Sequence, residues 1–202
     1  MDELIRKVAE ADFPSRFGKF RIHGLEACRN GKTESVVALE MGDLAAAGQA
    51  PLVRIHSQCL TGDVFGSLRC DCRAQLEMAL ERIDAEGRGL LIYEAQEGRG
   101  IGLLNKLMAY ELQDAGADTV EANEQLGFEA DLRTYQVAVA VLRHFGLSRV
   151  RLLSNNPEKI KALEEGGVQV EERVPCVAEP IESAEGYLRA KKEKLGHLLE
   201  GL

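Results

Sequence analysis

Gly89-Leu-Leu-Ile-Tyr-Glu94-Ala-Gln-Glu-Gly-Arg-Gly-Ile-Gly102 is the stretch that decides the architecture. Residues 89–94 form a nearly continuous apolar run, suited to a strand buried on both faces. Gln96-Glu97-Gly98-Arg99-Gly100-Ile101-Gly102 then reads as a loop. It leads into a helix through Leu104, Met108 and Leu112, with Gly116 as its stop. Strand, loop and helix in succession are the pattern of a layered sheet. The expected fold class is α/β, with mixed β-sheets and flanking helices in a single compact domain, 1–202.

Upstream, Leu76, Ala79, Leu80 and Ile83 follow helical spacing, and Gly87 supplies the stop. Pro51-Leu-Val-Arg-Ile-His56 is a strand that runs into a cysteine-bearing loop. Gly18–His23 and Thr33–Met41 are strands separated by the turn Asn30-Gly31. Leu4-Ile5 with Val8 is a short amphipathic stretch broken at Phe13-Pro14. Downstream, 117–130 show no convincing period, and a loop of that length is often functional. Asp131 is expected to open a helix whose face is Leu132, Tyr135, Val139 and Leu142. Arg149–Leu153 is a strand, and Ser154-Asn155-Asn156-Pro157 starts a helix with Pro at its first position. That helix stops at Gly166-Gly167 before the strand Val168–Val174, a βαβ unit whose strands should be parallel. From Ser183 a last helix carries Leu188, Leu195 and Leu198.

The net charge of −8, from 25 Lys and Arg against 33 Asp and Glu, argues against nonspecific binding to nucleic acid or anionic membrane. It leaves a nucleotide ligand open, because a few local cations suffice. No apolar run approaches a membrane span, and Met1-Asp-Glu-Leu lacks the basic start of a signal peptide. A cytoplasmic, reducing home is expected, which keeps thiolates available to metal.

Three of the five cysteines fall in Cys59-Leu-Thr-Gly-Asp-Val-Phe-Gly-Ser-Leu-Arg-Cys70-Asp-Cys72. No fourth cysteine or histidine stands near to complete a structural Zn²⁺ set, so the pattern suggests a metal with one open coordination position. The spacing is not a standard zinc spacing, and two other readings stand beside it. One is a Cys59–Cys70 disulfide, disfavoured without secretion. The other is three unrelated core cysteines, disfavoured by the company of Asp63, Arg69 and Asp71. Cys28 and Cys176 are remote and read as inert. His23 reads as a strand-surface residue, whereas Arg54 and His56 stand close to Cys59 at a strand end.

The glycine loop 97–102 combines backbone N–H groups, Arg99 and an oncoming helix N-terminus, which together can hold an anion. It reads equally as a glycine-rich turn with a solvated arginine, since a short Gly-x-Gly stretch is weak evidence. Asp131 reads first as a helix N-cap. Arg133 would then sit in a first turn that disfavours cations, so an anionic partner for it is a natural reading. Ser154 and Lys159 flank a second helix start of the phosphate-binding kind. Tyr110 is mid-helix, either a half-buried aromatic or a proton donor.

Together these segments resemble the GTP cyclohydrolase II family, which opens GTP for riboflavin synthesis. The matching runs are Arg54-Ile-His-Ser-Gln-Cys59-Leu-Thr-Gly-Asp63, Ser67-Leu-Arg-Cys70-Asp-Cys72, Gln96–Lys106, Glu121-Ala-Asn-Glu-Gln-Leu-Gly-Phe128 and Asn155-Asn-Pro157. The resemblance implies Zn²⁺ on Cys59, Cys70 and Cys72. It implies GTP contacts from Arg54, Ile55, His56, Ser57, Gln58, Gln75, Glu97, Gly98, Arg99, Thr119, Ser154 and Lys159. Asp131 inherits a proton-accepting role, Arg133 a nucleophilic role towards the α-phosphate, and Tyr110 a catalytic tyrosine position. Mg²⁺ with the triphosphate and a homodimer come with the family. Some relatives carry a dihydroxybutanone-phosphate synthase domain ahead of this one, for which 202 residues leave no room.

Three positions depart from the family pattern: Gln58 for glutamate, Arg73 for glycine and Ser154 for threonine. A guanidinium stays protonated at neutral pH and is a poor nucleophile, so charge stabilisation is the alternative role for Arg133. The implied reaction releases formate and pyrophosphate and leaves 2,5-diamino-6-(5-phosphoribosylamino)pyrimidin-4(3H)-one. The same fold stopping at the formamidopyrimidine, or a zinc-stapled nucleotide-binding module without turnover, are the other readings. RNA binding is disfavoured by the charge and the few aromatics.

Overall fold

Residues 89–94 lie in the middle of the sheet, as their apolar run requires: Leu90, Leu91 and Ile92 are at most 1% exposed. A computed structural model describes residues 4–29 and 32–177, with 192, 193, 196 and 198. Among these, seven strands form one sheet: β1 (Leu4–Ser15), β2 (Gly18–Arg29), β3 (Lys32–Met41), β4 (Leu52–Ser57), β5 (Gly89–Glu94), β6 (Arg149–Leu153) and β7 (Gln169–Val174). Their spatial order is β1-β2-β3-β5-β4-β6-β7. β1, β2, β3 and β5 pair antiparallel in sequence, and β4, β6 and β7 pair parallel. The sheet is mixed and the class is α/β, as expected. The helices are α1 (Leu60–Asp63), α2 (Cys72–Glu86), α3 (Leu103–Asp114), α4 (Thr119–Gln125), α5 (Gln136–His144) and α6 (Pro157–Glu165).

By contact density the chain groups into two units. A sheet unit holds the described residues of Met1–His56, Glu77–Ala95 and Tyr135–Cys176. A loop unit holds Ser57–Leu76, Gln96–Thr134 and the described residues of Val177–Leu202. The core lies in the sheet unit, where Val53, Ile55, Leu90 and Ile92 of the strands meet Val137, Ala138, Val141 and Leu142 of α5 and Leu163 of α6. All six residues from Val137 to Leu142 are buried, which is the pattern of a helix enclosed by its neighbours rather than lying on a surface. Among the described residues no helix is long and apolar enough to cross a membrane.

Four expectations change. The opening stretch is not broken at Phe13-Pro14, because β1 continues to Ser15. As an edge strand it tolerates a proline that a central strand would reject. His23 is 5% exposed, since Phe145 packs edge-on at 5.0 Å and its Nε2 lies 2.7 Å from the Glu40 carboxylate. Residues 117–130 contain α4, hidden from periodicity by its seven-residue length but announced by a capping box: Asp118 accepts from Val120 and Glu121 N–H, and Glu121 accepts from Asp118 N–H. Asp118→Ala should destabilise this segment by about 1 kcal/mol, read as faster amide exchange across α4. Finally, Asp131 does not cap a helix; α5 begins only at Gln136. The turn Asn30-Gly31 and most of the helix expected from Ser183, including Leu188 and Leu195, lie outside the described residues.

Candidate active site

The strand β4 delivers the chain to the three cysteines. Cys59 is the N-cap position of α1, and its N–H donates to Asp63 Oδ2 at 3.0 Å. Cys72 is the first residue of α2, with Cys70 two residues ahead. The three sulfurs lie within 4.8 Å of one another, and Cys59 Sγ to Cys70 Sγ is 3.7 Å. Thiolates at 2.3 Å from a tetrahedral Zn²⁺ stand about 3.8 Å apart, whereas a disulfide needs about 2.05 Å. The cluster therefore fits a metal and not a bridge, and its convergence removes the reading of three unrelated core cysteines. Among the described residues no His, Asp, Glu or further Cys joins the group.

Gly62 of α1 is what lets the three cysteines come together. A Cβ there would stand 2.9 Å from Cys70 Sγ and 3.1 Å from Cys59 Sγ. Hydrogen bonds from Cys70 and Cys72, with the Lys106 ammonium, hold the Cys59 thiol far below its ordinary range. The same bond to Cys59 pushes the Cys70 thiol up.

The glycine loop kinks at Glu97–Gly100 before α3, with Gly98 (φ 62°) and Arg99 both turned left-handed. Arg99 has φ 59°, the only left-handed non-glycine among the described residues. An arginine held there costs on the order of 1 kcal/mol and marks a position shaped for use. Both Glu97 oxygens are committed to the protein: Oε2 accepts from Leu60 N–H at 2.7 Å, and Oε1 from Lys106 Nζ at 2.7 Å and Gly98 N–H at 3.1 Å. Glu97 thereby ties the glycine loop to the residue after Cys59.

A second strap fixes residues 131–134. The Gln96 side chain donates to Thr134 O at 2.8 Å and accepts from Thr134 N–H at 3.0 Å, while Leu132 N–H donates to Arg99 O at 3.0 Å. Gly100 permits this approach, since a Cβ on it would meet Leu132 Cβ at 3.1 Å. Asp131 Oδ1 accepts from Arg133 N–H at 3.0 Å and from Arg133 Nε at 2.9 Å. Its local hydrogen bond thus builds an Asx-type turn instead of a helix cap. Burial pushes the Asp131 carboxyl up, but the Arg133 guanidinium overcomes this and leaves it below its usual range.

Of the residues singled out from sequence, Ser57, Gln58, Cys59, Cys70, Cys72, Glu97, Gly98, Arg99, Tyr110, Thr119 and Arg133 line one cavity of the loop unit. Ser57 Oγ is buried with no hydrogen-bond partner among the described residues, so it offers an unused donor and acceptor. Tyr110 OH is 3.1 Å from Thr61 Oγ1, and burial raises its pKa. Asp131 stands outside the lining, paired to Arg133. Gln75 is also outside it, donating to Asp71. Lys106 is a lining residue that sequence reasoning passed over. It and Tyr110 are four apart on α3 and share a face, a spacing that could have exposed it.

The remaining candidates belong to the sheet unit. Arg54 donates to Leu153 O at 3.0 Å, and Lys159 Nζ donates to Ile55 O at 2.7 Å. His56 stacks on Tyr93 at 5.4 Å. Ser154 Oγ accepts from Asn156 N–H at 3.1 Å, ahead of Asn156, which caps α6 through Glu158 N–H with Pro157 at the first position. Arg54, Ile55, Ser154 and Lys159 thus meet at one end of β4 and β6.

The family description "GTP cyclohydrolase II" matches residues 6–175. GTP cyclohydrolase-2 of Azotobacter vinelandii is 54% identical over 195 residues, covering 96% of this chain and 92% of its own. The Shewanella amazonensis protein of the same name is 53% identical, covering 96% and 94%. Riboflavin biosynthesis protein RibBA of Bacillus subtilis is 52% identical across 97% of this chain, which spans 49% of that longer protein. Among solved structures, RibBX, a two domain 3,4-dihydroxy-2-butanone 4-phosphate synthase from A. baumannii, aligns with TM-score 0.50 at 18% identity, covering 86% of this chain and 40% of its own. That last likeness concerns the fold alone. With nearly full-length relatives above half identity and a thiolate cluster set in a cavity, the chain is an enzyme of the GTP cyclohydrolase II family.

Proposed function

We propose that this protein hydrolyses GTP, opening the guanine imidazole ring with release of formate and pyrophosphate. The observation that carries the reading is the open cluster of Cys59, Cys70 and Cys72 in a cavity that also holds Arg99 and Arg133. Cys59, Cys70 and Cys72 would hold Zn²⁺, which would supply Lewis-acid activation of water. Thr61 and Tyr110 place a hydroxyl pair beside the cluster, and Tyr110, kept protonated by burial, donates to the departing nitrogen. Ser57 Oγ is free to bind the purine or its ribose.

Arg99 and Arg133 balance negative charge on the α-phosphate as pyrophosphate leaves, with Mg²⁺ on the triphosphate. Asp131 is a weak base while Arg133 holds it. It accepts a proton once the guanidinium turns to phosphate, which removes the cause of its lowered pKa. Arg54, Ile55, His56, Gln58, Gln75, Glu97, Gly98, Thr119, Ser154 and Lys159 complete the proposed GTP contacts. A cytoplasmic homodimer serving riboflavin synthesis completes the reading.

Incubation with GTP and Mg²⁺, with and without a zinc chelator, tests it. Formate and pyrophosphate should appear together and stop together when zinc is removed. Products that retain the formyl mass would instead place the enzyme at the formamidopyrimidine stage. Tyr110→Phe should shift the wild-type product towards that retained-formyl species, because the second hydrolysis loses its proton donor, a role worth about 10²–10⁴-fold. Unchanged formate yield from this variant would remove Tyr110 from the mechanism.

A further inference from the structure

Three thiolates leave a Zn²⁺ site with a formal charge of −1, and strong sulfur donation makes such a metal a poorer Lewis acid than one on neutral imidazoles. Among the described residues a cationic group of the cavity is placed to correct this. Lys106 Nζ lies 3.1 Å from Cys59 Sγ and 2.7 Å from Glu97 Oε1. Its side chain is 12% exposed, and that of Glu97 9%. The ammonium is therefore held in a desolvated slot, where a charge-assisted hydrogen bond is stronger than in water.

Glu97 is anchored in turn by Leu60 N–H and Gly98 N–H, so the lysine has little freedom to swing elsewhere. Glu97 approaches the ammonium from the side of the glycine loop and keeps it charged; the N–H aimed at sulfur is what the cluster feels. Tyr110 adds a ring 5.8 Å from the same nitrogen.

We propose that Lys106 is a positioning residue that tunes the metal through Cys59: its N–H···S bond draws electron density from one thiolate and so sharpens the Lewis acidity of the bound cation. Glu97 serves this arrangement by orienting the lysine. The proposal rests on the three cysteines being the metal site, and it assigns Lys106 a task that acts through the Cys59 sulfur.

The test compares wild type, Lys106→Gln and Lys106→Arg, each loaded with Co²⁺ and, separately, with Zn²⁺ in competition with a chromogenic chelator. Glutamine is neutral and one bond shorter, so the charged N–H···S bond is lost, the sulfur becomes a better electron donor, and the thiolate-to-Co²⁺ charge-transfer band of Lys106→Gln should move to longer wavelength. At a pH where the thiols are ionised in both proteins, its Zn²⁺ affinity should rise, because the thiolate donates more strongly and no cation opposes the metal. Lys106→Arg, which keeps a cationic N–H, should restore the band towards its wild-type position. With GTP, Lys106→Gln should lose kcat while KM stays near wild type.

Glu97→Gln covers the case in which Lys106→Gln fails to fold: it keeps the lysine but loosens it, and should shift the same band in the same direction by less. A band and an affinity unchanged in both glutamine variants would overturn the proposal and leave Lys106 as a plain ion-pair partner of Glu97. A wild-type protein with no thiolate band at all would overturn the metal site itself. That failure is distinct, because it appears before any substitution.

Discussion

Cys70→Ser is expected to remove the bound metal and to lower formate release from GTP by about a thousandfold or more. Cys70 is 6% exposed, and its sulfur is 3.7 Å from that of Cys59. A serine hydroxyl there stays neutral at working pH and reaches less far than a thiolate. Lewis-acid assistance is worth several kcal/mol at the transition state, and each 1.36 kcal/mol is a factor of ten. Two remaining thiolates do not make a stable open site, so the loss should be nearly complete and not merely partial.

The core of the sheet unit, built from Ile55, Leu90, Ile92 and α5, contains none of the three cysteines. The variant should therefore keep its far-ultraviolet circular dichroism. Metal content by atomic emission, circular dichroism and formate release, measured on one preparation, give the answer. A serine variant with full zinc and full turnover would dismiss the thiolate site. Loss of folding in the variant, together with a wild type that leaves GTP untouched, would favour a zinc-stapled structural module.

The second large effect comes from one methyl group. Gly62→Ala sits in α1, where local propensity alone predicts a gain of about 1 kcal/mol for alanine over glycine. The tertiary setting reverses that sign. The new carbon would come 2.9 Å from Cys70 Sγ, 3.1 Å from Cys59 Sγ and 3.1 Å from Cys72 Cβ. The first contact cannot stand without displacement and the other two require their neighbours to give by a few tenths of an ångström; overpacking of this kind costs about 1–3 kcal/mol.

Relief requires the sulfurs to part, which spoils the spacing that a tetrahedral ion demands. Zinc affinity of Gly62→Ala should fall by at least about a hundredfold, at the upper end of effects from disturbed ligand surroundings, with GTP turnover falling alongside. Chelator competition reads the first quantity and the formate assay the second. Wild-type affinity in the variant would mean that α1 shifts freely and that Gly62 has no part in shaping the cluster.

Much of the frame was legible because its signals are local. The apolar run at 89–94, the strand at 149–153 and the Pro157 helix start each declare themselves within a few residues, and each is found in place. The Cys59, Cys70 and Cys72 set was legible as chemistry, since three thiols without a fourth partner leave few uses. Short or unusual elements were less visible. α4 is too short to show a period, and its capping box is the sole cue. The edge strand β1 accepts Pro14 because among the described residues no strand pairs on its outer side.

The amino-acid order by itself determined the α/β class, most of the strand positions and the candidate thiolate set, because periodicity, breakers and ligand chemistry are properties of neighbouring residues. Tertiary structure alone decided that Gly62 must be a glycine and that Lys106 and Glu97 close on Cys59. Those pairings join residues up to 47 positions apart. Their distances depend on how separate loops are folded against one another, which no local pattern encodes.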